Sequence, residues 1–81
     1  MRLLVVEDSA KMASLLRRGL TEEGYAVDVV ANGIDGVWLA TEQSFDAIVL
    51  DVVLPDIDGF EVCRRLRREH RRWRPGNARR A

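Results

Sequence analysis

The stretch from Ala47 to Gly59 constrains the fold of this chain more than any other segment. It opens with the apolar run AIVL, which has β-branched residues and no polar alternation, as is typical of a strand buried on both faces. The run ends on Asp51, and Pro55 disfavours helix at the residue before it, so a loop follows the strand. Because buried parallel strands present their chemistry at their carboxyl ends, Asp51 is a candidate functional residue.

A second apolar run also ends on carboxylates. Residues 3–6 read LLVV, and Glu7 and Asp8 follow them directly. If the two strands are parallel neighbours, Glu7, Asp8 and Asp51 meet at one sheet edge, where their charges repel unless a cation lies between them. Magnesium commonly takes one or two carboxylates, several waters and a phosphate oxygen. This pattern favours a metal-assisted phosphoryl site over uncoordinated surface acids.

Strands and helices are predicted to alternate at short spacing. Strands are expected at residues 2–6, 26–31 and 45–50, and helices from the Ser9 cap to about 23, from the Asn32 cap to about 43–44, and from near Gly59 onward. Such alternation predicts parallel strands joined by right-handed crossovers. The consistent arrangement is a flavodoxin-like, doubly wound α/β sheet with strand order 2-1-3 and the mixed second strand at its edge.

Helical spacing and capping patterns add local predictions. Asp58 is expected to cap the third helix, with Glu61 completing the capping arrangement three residues later. Within that helix, Phe60, Cys63 and Leu66 are expected to face the sheet. Trp38 in the second helix is interpreted as a packing residue rather than a binding residue.

These motifs resemble the receiver domain of two-component response regulators. The resemblance rests on Val5-Val6-Glu7-Asp8, on LDVVLPDIDG at residues 50–59, and on the pairs Gly24-Tyr25 and Asn32-Gly33; it covers roughly residues 2–69. It implies that Asp51 accepts a phosphoryl group from a sensor histidine kinase. It also implies that Glu7, Asp8, Asp51 and the main-chain carbonyl of Val53 surround a magnesium ion.

The motifs are similar to those of receivers that precede a winged-helix DNA-binding domain in bacterial transcription regulators. On this resemblance the chain would be a phosphorylated substrate rather than an enzyme, and DNA binding would belong to a domain absent from this chain. Two alternatives stay open. One is a non-phosphorylated dimerisation or interaction module, and the other is an aspartate-nucleophile phosphatase, in which Val53 stands where a second Asp is expected.

The resemblance is incomplete at the carboxyl end. In the family a Ser or Thr ends the fourth strand and a lysine ends the fifth, and both contact the phosphoryl group; here Lys11 is the only lysine. The fold is therefore expected to be truncated to about three strands and three helices. The outer edge of the third strand would then be uncovered, so the chain is predicted to self-associate through it or to be partly ordered.

Charge divides the chain into two unlike parts. Residues 1–63 carry 12 acidic and 4 basic side chains, whereas residues 64–81 carry nine arginines and a single acid, Glu69. Residues 1–69 are expected to form the partial receiver domain. Residues 70–81 are expected to be an Arg-rich tail that is disordered or non-native, although its arginines and Trp73 could also contact nucleic-acid phosphates and bases.

Several classes of protein are disfavoured by what the chain lacks. It has no run of 18 apolar residues, so no membrane span is expected, and the amino terminus enters a strand without an apolar leader. These features predict a cytoplasmic protein. The single cysteine, Cys63, cannot form an internal disulfide and is expected to be a small apolar filler in the third helix.

Overall fold

Parallel strands and helices alternate through the computed structural model, which describes residues 1–69 and residues 77–79. The elements are β1 (Arg2–Val6), α1 (Ala10–Glu22), β2 (Ala26–Val30), α2 (Gly33–Glu42), β3 (Ala47–Asp51), α3 (Gly59–Glu69) and β4 (Asn77–Arg79). The first six elements match the predicted order. None of the helices in residues 1–69 has both the length and the apolar character needed to cross a bilayer.

The strands form one parallel sheet in the order β2-β1-β3-β4. The predicted order 2-1-3 and the edge position of the second strand are therefore confirmed. β1 is central among the first three strands and pairs with both β2 and β3, with Val6 opposite Val30 on one side and Leu50 on the other. The crossovers place α2 and α3 against each other, which fixes the side of the sheet where the main core forms.

The prediction that the outer edge of β3 is uncovered is wrong for residues Val49–Asp51. Asn77–Arg79 pairs in parallel with Val49–Asp51. An unpaired strand edge presents free N–H and C=O groups, and any extended segment that reaches it can satisfy them. The remaining residues of the predicted tail, 70–76, 80 and 81, lie outside the described residues.

The main core lies between β1, β3 and the two helices α2 and α3. Its buried members are Leu4, Val6, Ala40, Phe45, Ile48, Leu50, Val62 and Leu66. On the opposite face of the sheet, Leu3 and Val5 are buried, and Ala13 of α1 is buried as well. β1 therefore carries apolar side chains on both faces, as its unbroken apolar sequence predicted.

The buried face of α3 is rotated relative to the predicted one. Gly59, Val62 and Leu66 are buried and Cys63 packs half-buried against the core, whereas Phe60 lies off this face and is 56% exposed. Trp38 of α2 is 63% exposed, so its interpretation as a packing residue is also wrong.

The predicted helix caps are present. The side chain of Ser9 accepts the N–H of Met12, and Asn32 Oδ1 accepts the N–H of Asp35. Asp58 Oδ1 accepts the N–H of Glu61 at 2.8 Å, which begins α3. The second half of that capping arrangement is different from the prediction.

The Glu61 carboxylate is engaged by arginines of its own helix. It accepts hydrogen bonds from Arg64 at 2.9 Å and Arg65 at 3.0 Å instead of turning back toward the cap. These guanidinium contacts lower the pKa of Glu61. Two charged donors three and four residues ahead compete effectively with a single backbone amide.

Truncation of Leu66 tests the position of the core. Leu66 is fully buried, so Leu66→Ala should lower the free energy of unfolding by about 2–5 kcal/mol through lost apolar contact and a residual cavity. Leu15 of α1 is 53% exposed, and Leu15→Ala should change the free energy of unfolding by no more than about 0.5 kcal/mol. Urea unfolding followed by circular dichroism measures both, and equal losses would contradict the core described here.

Candidate metal and phosphoacceptor site

The register between β1 and β3 assembles the site. Val6 lies opposite Leu50, so the residues that follow them, Glu7 and Asp51, come side by side at the carboxyl edge of the sheet. The N–H of Glu7 also donates to the carbonyl of Val30 at 3.0 Å, which holds the end of β1 against β2. The predicted meeting of the two strand ends therefore follows from strand pairing alone.

Three carboxylates converge at this edge. Glu7, Asp8 and Asp51 each offer an oxygen, and these oxygens all lie within 4.8 Å of one another. Asp51 is the buried member, at 4% exposure, whereas Glu7 is half-buried and Asp8 is exposed. The cluster is therefore buried at Asp51 and open to solvent at Asp8.

The cluster carries excess negative charge. Burial raises the pKa of Glu7; the N–H of Ser9 opposes this rise, and the neighbouring Asp51 carboxylate adds to it. Among residues 1–69, the arginine ion pairs involve Asp28 and Glu61, and none reaches the three clustered carboxylates. Closely spaced carboxylates without an ion-pair partner among these residues are suited to a hard divalent cation with oxygen ligands.

The loop after β3 folds back on Asp51. Asp51 Oδ1 accepts the N–H of Val53 at 3.1 Å, and the N–H of Gly59 donates to the carbonyl of Val52 at 2.8 Å. A Cβ on Gly59 would stand 2.6 Å from the carbonyl oxygen of Asp51, so only glycine permits this approach of α3 to the strand end. The role of the Val53 carbonyl as a metal ligand stays a prediction.

Sequence reasoning missed the part played by Asp56. Its carboxylate reaches across the molecule and accepts the N–H groups of Gly33 and Ile34, both at 2.8 Å, at the start of α2. A lone Asp after a proline carries no pattern that would predict a partner more than 20 residues away. The motif around Asp51 is thus tied to a second helix as well as to its own.

Comparison with known proteins identifies the family. The profile of the response regulator receiver domain matches residues 3–75, which is most of the chain. This chain belongs to the response regulator receiver domain family. The predicted resemblance is therefore confirmed, and the flavodoxin-like sheet is the receiver fold.

Curated relatives of this receiver domain are transcriptional regulators. TcrA of Mycobacterium tuberculosis is 60% identical over 74 residues, which cover 91% of this chain and 29% of TcrA. CusR of Escherichia coli K12 is 46% identical over 67 residues, covering 83% of this chain and 30% of CusR. The chain thus spans less than a third of the length of the regulators that it matches.

Solved receiver structures share both the fold and sequence similarity. The receiver domain of sensor histidine kinase PA1611 from Pseudomonas aeruginosa, with a magnesium ion coordinated in its active-site cleft, matches with a TM-score of 0.83 and 36% identity, over 85% of this chain and 57% of that one. TrrA of Thermotoga maritima, in complex with Mg²⁺-BeF, matches with a TM-score of 0.84 and 32% identity, over 98% of this receiver and 64% of TrrA.

The charge coupling within the site can be measured directly. Asp51→Asn should lower the pKa of Glu7 toward its ordinary value of 4.5, because a neutral amide no longer opposes ionisation of Glu7. The raised pKa belongs to the folded state, so ionisation of Glu7 costs stability as the pH rises from 4.5 through the folded-state pKa. The variant should lose less stability over that range.

Carboxyl NMR titration of Glu7, without divalent ions, checks this expectation. Asp46→Asn is the matched control, because Asp46 lies just before β3, at the opposite end of the strand from Asp51. That change should leave the titration of Glu7 unaltered. An unchanged titration of Glu7 in Asp51→Asn would show that the two carboxyl groups are not coupled.

Proposed function

We propose that this receiver domain accepts a phosphoryl group on Asp51 from the phosphohistidine of a sensor histidine kinase. The proposal is carried by one observation: the buried Asp51 carboxylate stands at a strand end within 4.8 Å of the carboxylate oxygens of Glu7 and Asp8. A carboxylate is a weak nucleophile that gains from a charged, partly water-excluded setting. The opening of the cluster at the exposed Asp8 leaves access for a partner protein.

The same carboxylates fit magnesium. Glu7, Asp8 and Asp51 would hold Mg²⁺ through carboxylate oxygens, and the main-chain carbonyl of Val53 is proposed as a further ligand. When bound, the ion would offset the charge of the carboxylates and of the incoming phosphoryl oxygens. The raised pKa of Glu7 supports this assignment, since it reflects a carboxyl group that is both partly buried and set beside another acid.

The chemical step needs little from the protein beyond placement. An Asp51 oxygen attacks the phosphorus atom, a P–O bond forms as the P–N bond breaks, and the histidine nitrogen keeps the electron pair of the broken bond. The hydrogen bond from the N–H of Val53 to Asp51 Oδ1 orients the carboxylate and directs its other oxygen to the reaction. On this proposal the chain is a phosphorylated substrate of its kinase, rather than an enzyme with its own turnover.

The output of the phosphorylated domain is proposed to be transcriptional. The regulators TcrA and CusR support this role, and residues 1–69 would correspond to part of their receiver portion. DNA contact would then belong to a separate domain of such a regulator. We further propose a cytoplasmic location, because a regulator of bacterial transcription has to meet DNA there.

Phosphoryl transfer to Asp51 is the first test of the proposal. With Mg²⁺ and a small phosphoryl donor such as acetyl phosphate, the wild-type chain should gain the mass of one phosphoryl group. Asp51→Asn should gain none, because its amide oxygen cannot form the acyl phosphate. Intact-mass spectrometry at acidic pH, under which the adduct survives, provides the measurement.

Two controls make that result specific. Asp46→Asn removes an acid before β3, far from the cluster, and should be labelled as the wild type is. Chelation of Mg²⁺ by EDTA should suppress labelling of the wild type. Continuous release of phosphate from an ester, without a stable adduct, would instead support the phosphatase alternative, and the absence of both would favour the interaction module.

We also propose that the chain self-associates through its sheet edge. β4 pairs only with Val49–Asp51, so Ala47 and Ile48 have no strand partner on that side among the described residues. β4 itself is only three residues long. A short strand covers an edge incompletely, and edge backbone groups that have no partner favour pairing with a second chain.

Self-association should depend on concentration. Sedimentation velocity over a hundredfold range of protein concentration is expected to show a weight-average mass that rises above that of the 9.2 kDa monomer. Addition of Mg²⁺ should leave this rise in place, because the carboxylate cluster lies at the end of the strands and the pairing edge at their side. A well-folded monomer throughout the range would refute the proposal.

A further inference from the structure

The loop between β3 and α3 is fixed to the start of α2 by a single side chain. Asp56 Oδ1 accepts the N–H of Gly33, and its Oδ2 accepts the N–H of Ile34, both at 2.8 Å. These two amides belong to the first turn of α2, where no carbonyl of the same helix is available to them. One carboxylate therefore satisfies two backbone donors that come from another part of the chain.

The electrostatics of this contact favour the charged form of Asp56. Burial alone would raise the pKa of Asp56, but hydrogen bonds from the amides of Ile34, Gly33 and Ile57 outweigh that effect and lower the pKa. The start of α2 also carries the positive end of the helix dipole, which attracts an anion. The contact is thus a charge-assisted link and not a chance approach of two surfaces.

The backbones at this link are in close contact. A Cβ on Gly33 would stand 2.6 Å from Cγ1 of Ile57 and 2.9 Å from the Ile57 carbonyl oxygen. Ile57 also packs against the main core, as does Leu54. The part of the loop around Asp56 and Ile57 therefore contacts the start of α2, and the Asp56 carboxylate holds it there.

The beginning of the same loop, at Val53, contacts the proposed phosphoacceptor. Val53 lies three residues before Asp56 and donates its N–H to Asp51 Oδ1. The Val53 side chain is 68% exposed, so its packing does little to hold this part of the loop in place. The position of Val53 then depends on the fixed points around it, which are Asp51 on one side and, on the other, Leu54 against the core and the Asp56 link.

We infer that Asp56 is a positioning residue for the metal site, which holds the Val53 segment in place by fixing the loop to the start of α2. This inference rests on the proposed function, since it concerns the same carboxylate cluster and its cation. Residues that orient metal ligands, without touching the metal, contribute to affinity because they remove the cost of ordering those ligands. Loss of the link should weaken Mg²⁺ binding while every carboxylate ligand remains.

The chain offers a matched control in Asn32. Its side chain caps the same helix by accepting the N–H of Asp35 at 2.8 Å, but its described side-chain hydrogen bonds stay within residues 32–35. Asn32→Ala should therefore destabilise the start of α2 without freeing the loop. Asp56→Ala removes both amide contacts, whereas Asp56→Asn keeps one oxygen acceptor and should retain part of the link.

The experiment is a Mg²⁺ titration of the 81-residue chain and of each variant, monitored by the backbone amide NMR signals of residues 51–53. The Kd for Mg²⁺ should rise about tenfold in Asp56→Ala, by a smaller factor in Asp56→Asn, and less than about twofold in Asn32→Ala. Native and unfolded molecules give separate signals, so the native signals report the Kd even where a variant is partly unfolded. If Asp56→Ala does not fold, Asp56→Asn decides the outcome.

A second readout separates positioning from a direct chemical role. In labelling with acetyl phosphate, the Mg²⁺ concentration for half-maximal rate should rise in Asp56→Ala, while the rate at saturating Mg²⁺ stays within about twofold of wild type. A collapse of the saturated rate with an unchanged Mg²⁺ dependence would contradict the inference.

The possible failures are distinguishable. If the wild-type chain shows no Mg²⁺-dependent shifts, the proposed function fails, and this inference fails with it. If the wild type binds Mg²⁺ and Asp56→Ala binds it equally well, only the positioning role of Asp56 is overturned. If Asn32→Ala weakens binding as much as Asp56→Ala does, integrity of α2 is responsible and the loop link is not.

Discussion

The parallel register of β1 against β3 is the constraint on which the site depends. Both strands are apolar on both faces, so they are held in the middle of the sheet and their ends are brought level. That pairing sets Glu7 beside the buried Asp51, and the pKa of Glu7 is raised by burial first and by the neighbouring Asp51 carboxylate second. Hydrophobic burial of the strands supplies the free energy that holds like charges together.

The loop that follows β3 turns this strand end into a defined site. Asp58 begins α3, Gly59 lets the helix approach the Asp51 carbonyl, and Asp56 ties the loop to α2. The three contacts differ in kind: Asp58 caps its own helix, Gly59 has no side chain to obstruct the approach, and the Asp56 carboxylate links the loop to another helix. Between these contacts the N–H of Val53 donates to Asp51, although the Val53 side chain is largely exposed.

Much of this arrangement was predictable from the sequence, because burial on two faces leaves a strong signal in LLVV and AIVL. Strand order and the acidic cluster followed from that signal and from the parallel connections. Contacts that depend on how a helix is rotated about its axis were not predictable: Phe60 and Trp38 are apolar and correctly spaced, yet both are largely exposed. The pairing of Asn77–Arg79 with β3 was missed because its sequence has no strand-like pattern.

Binding of a cation and response to phosphorylation make different demands on this fold. The acidic cluster uses side chains at the ends of only two strands, and the described residues supply all of them. A switch needs, in addition, a group that contacts the phosphoryl oxygens and an element with two arrangements for it to bias. The site described here is braced on α2 and α3, which stabilises one arrangement. The carboxylate cluster is therefore assembled by the ends of β1 and β3 alone, whereas a response to phosphorylation needs further contacts to the phosphoryl oxygens.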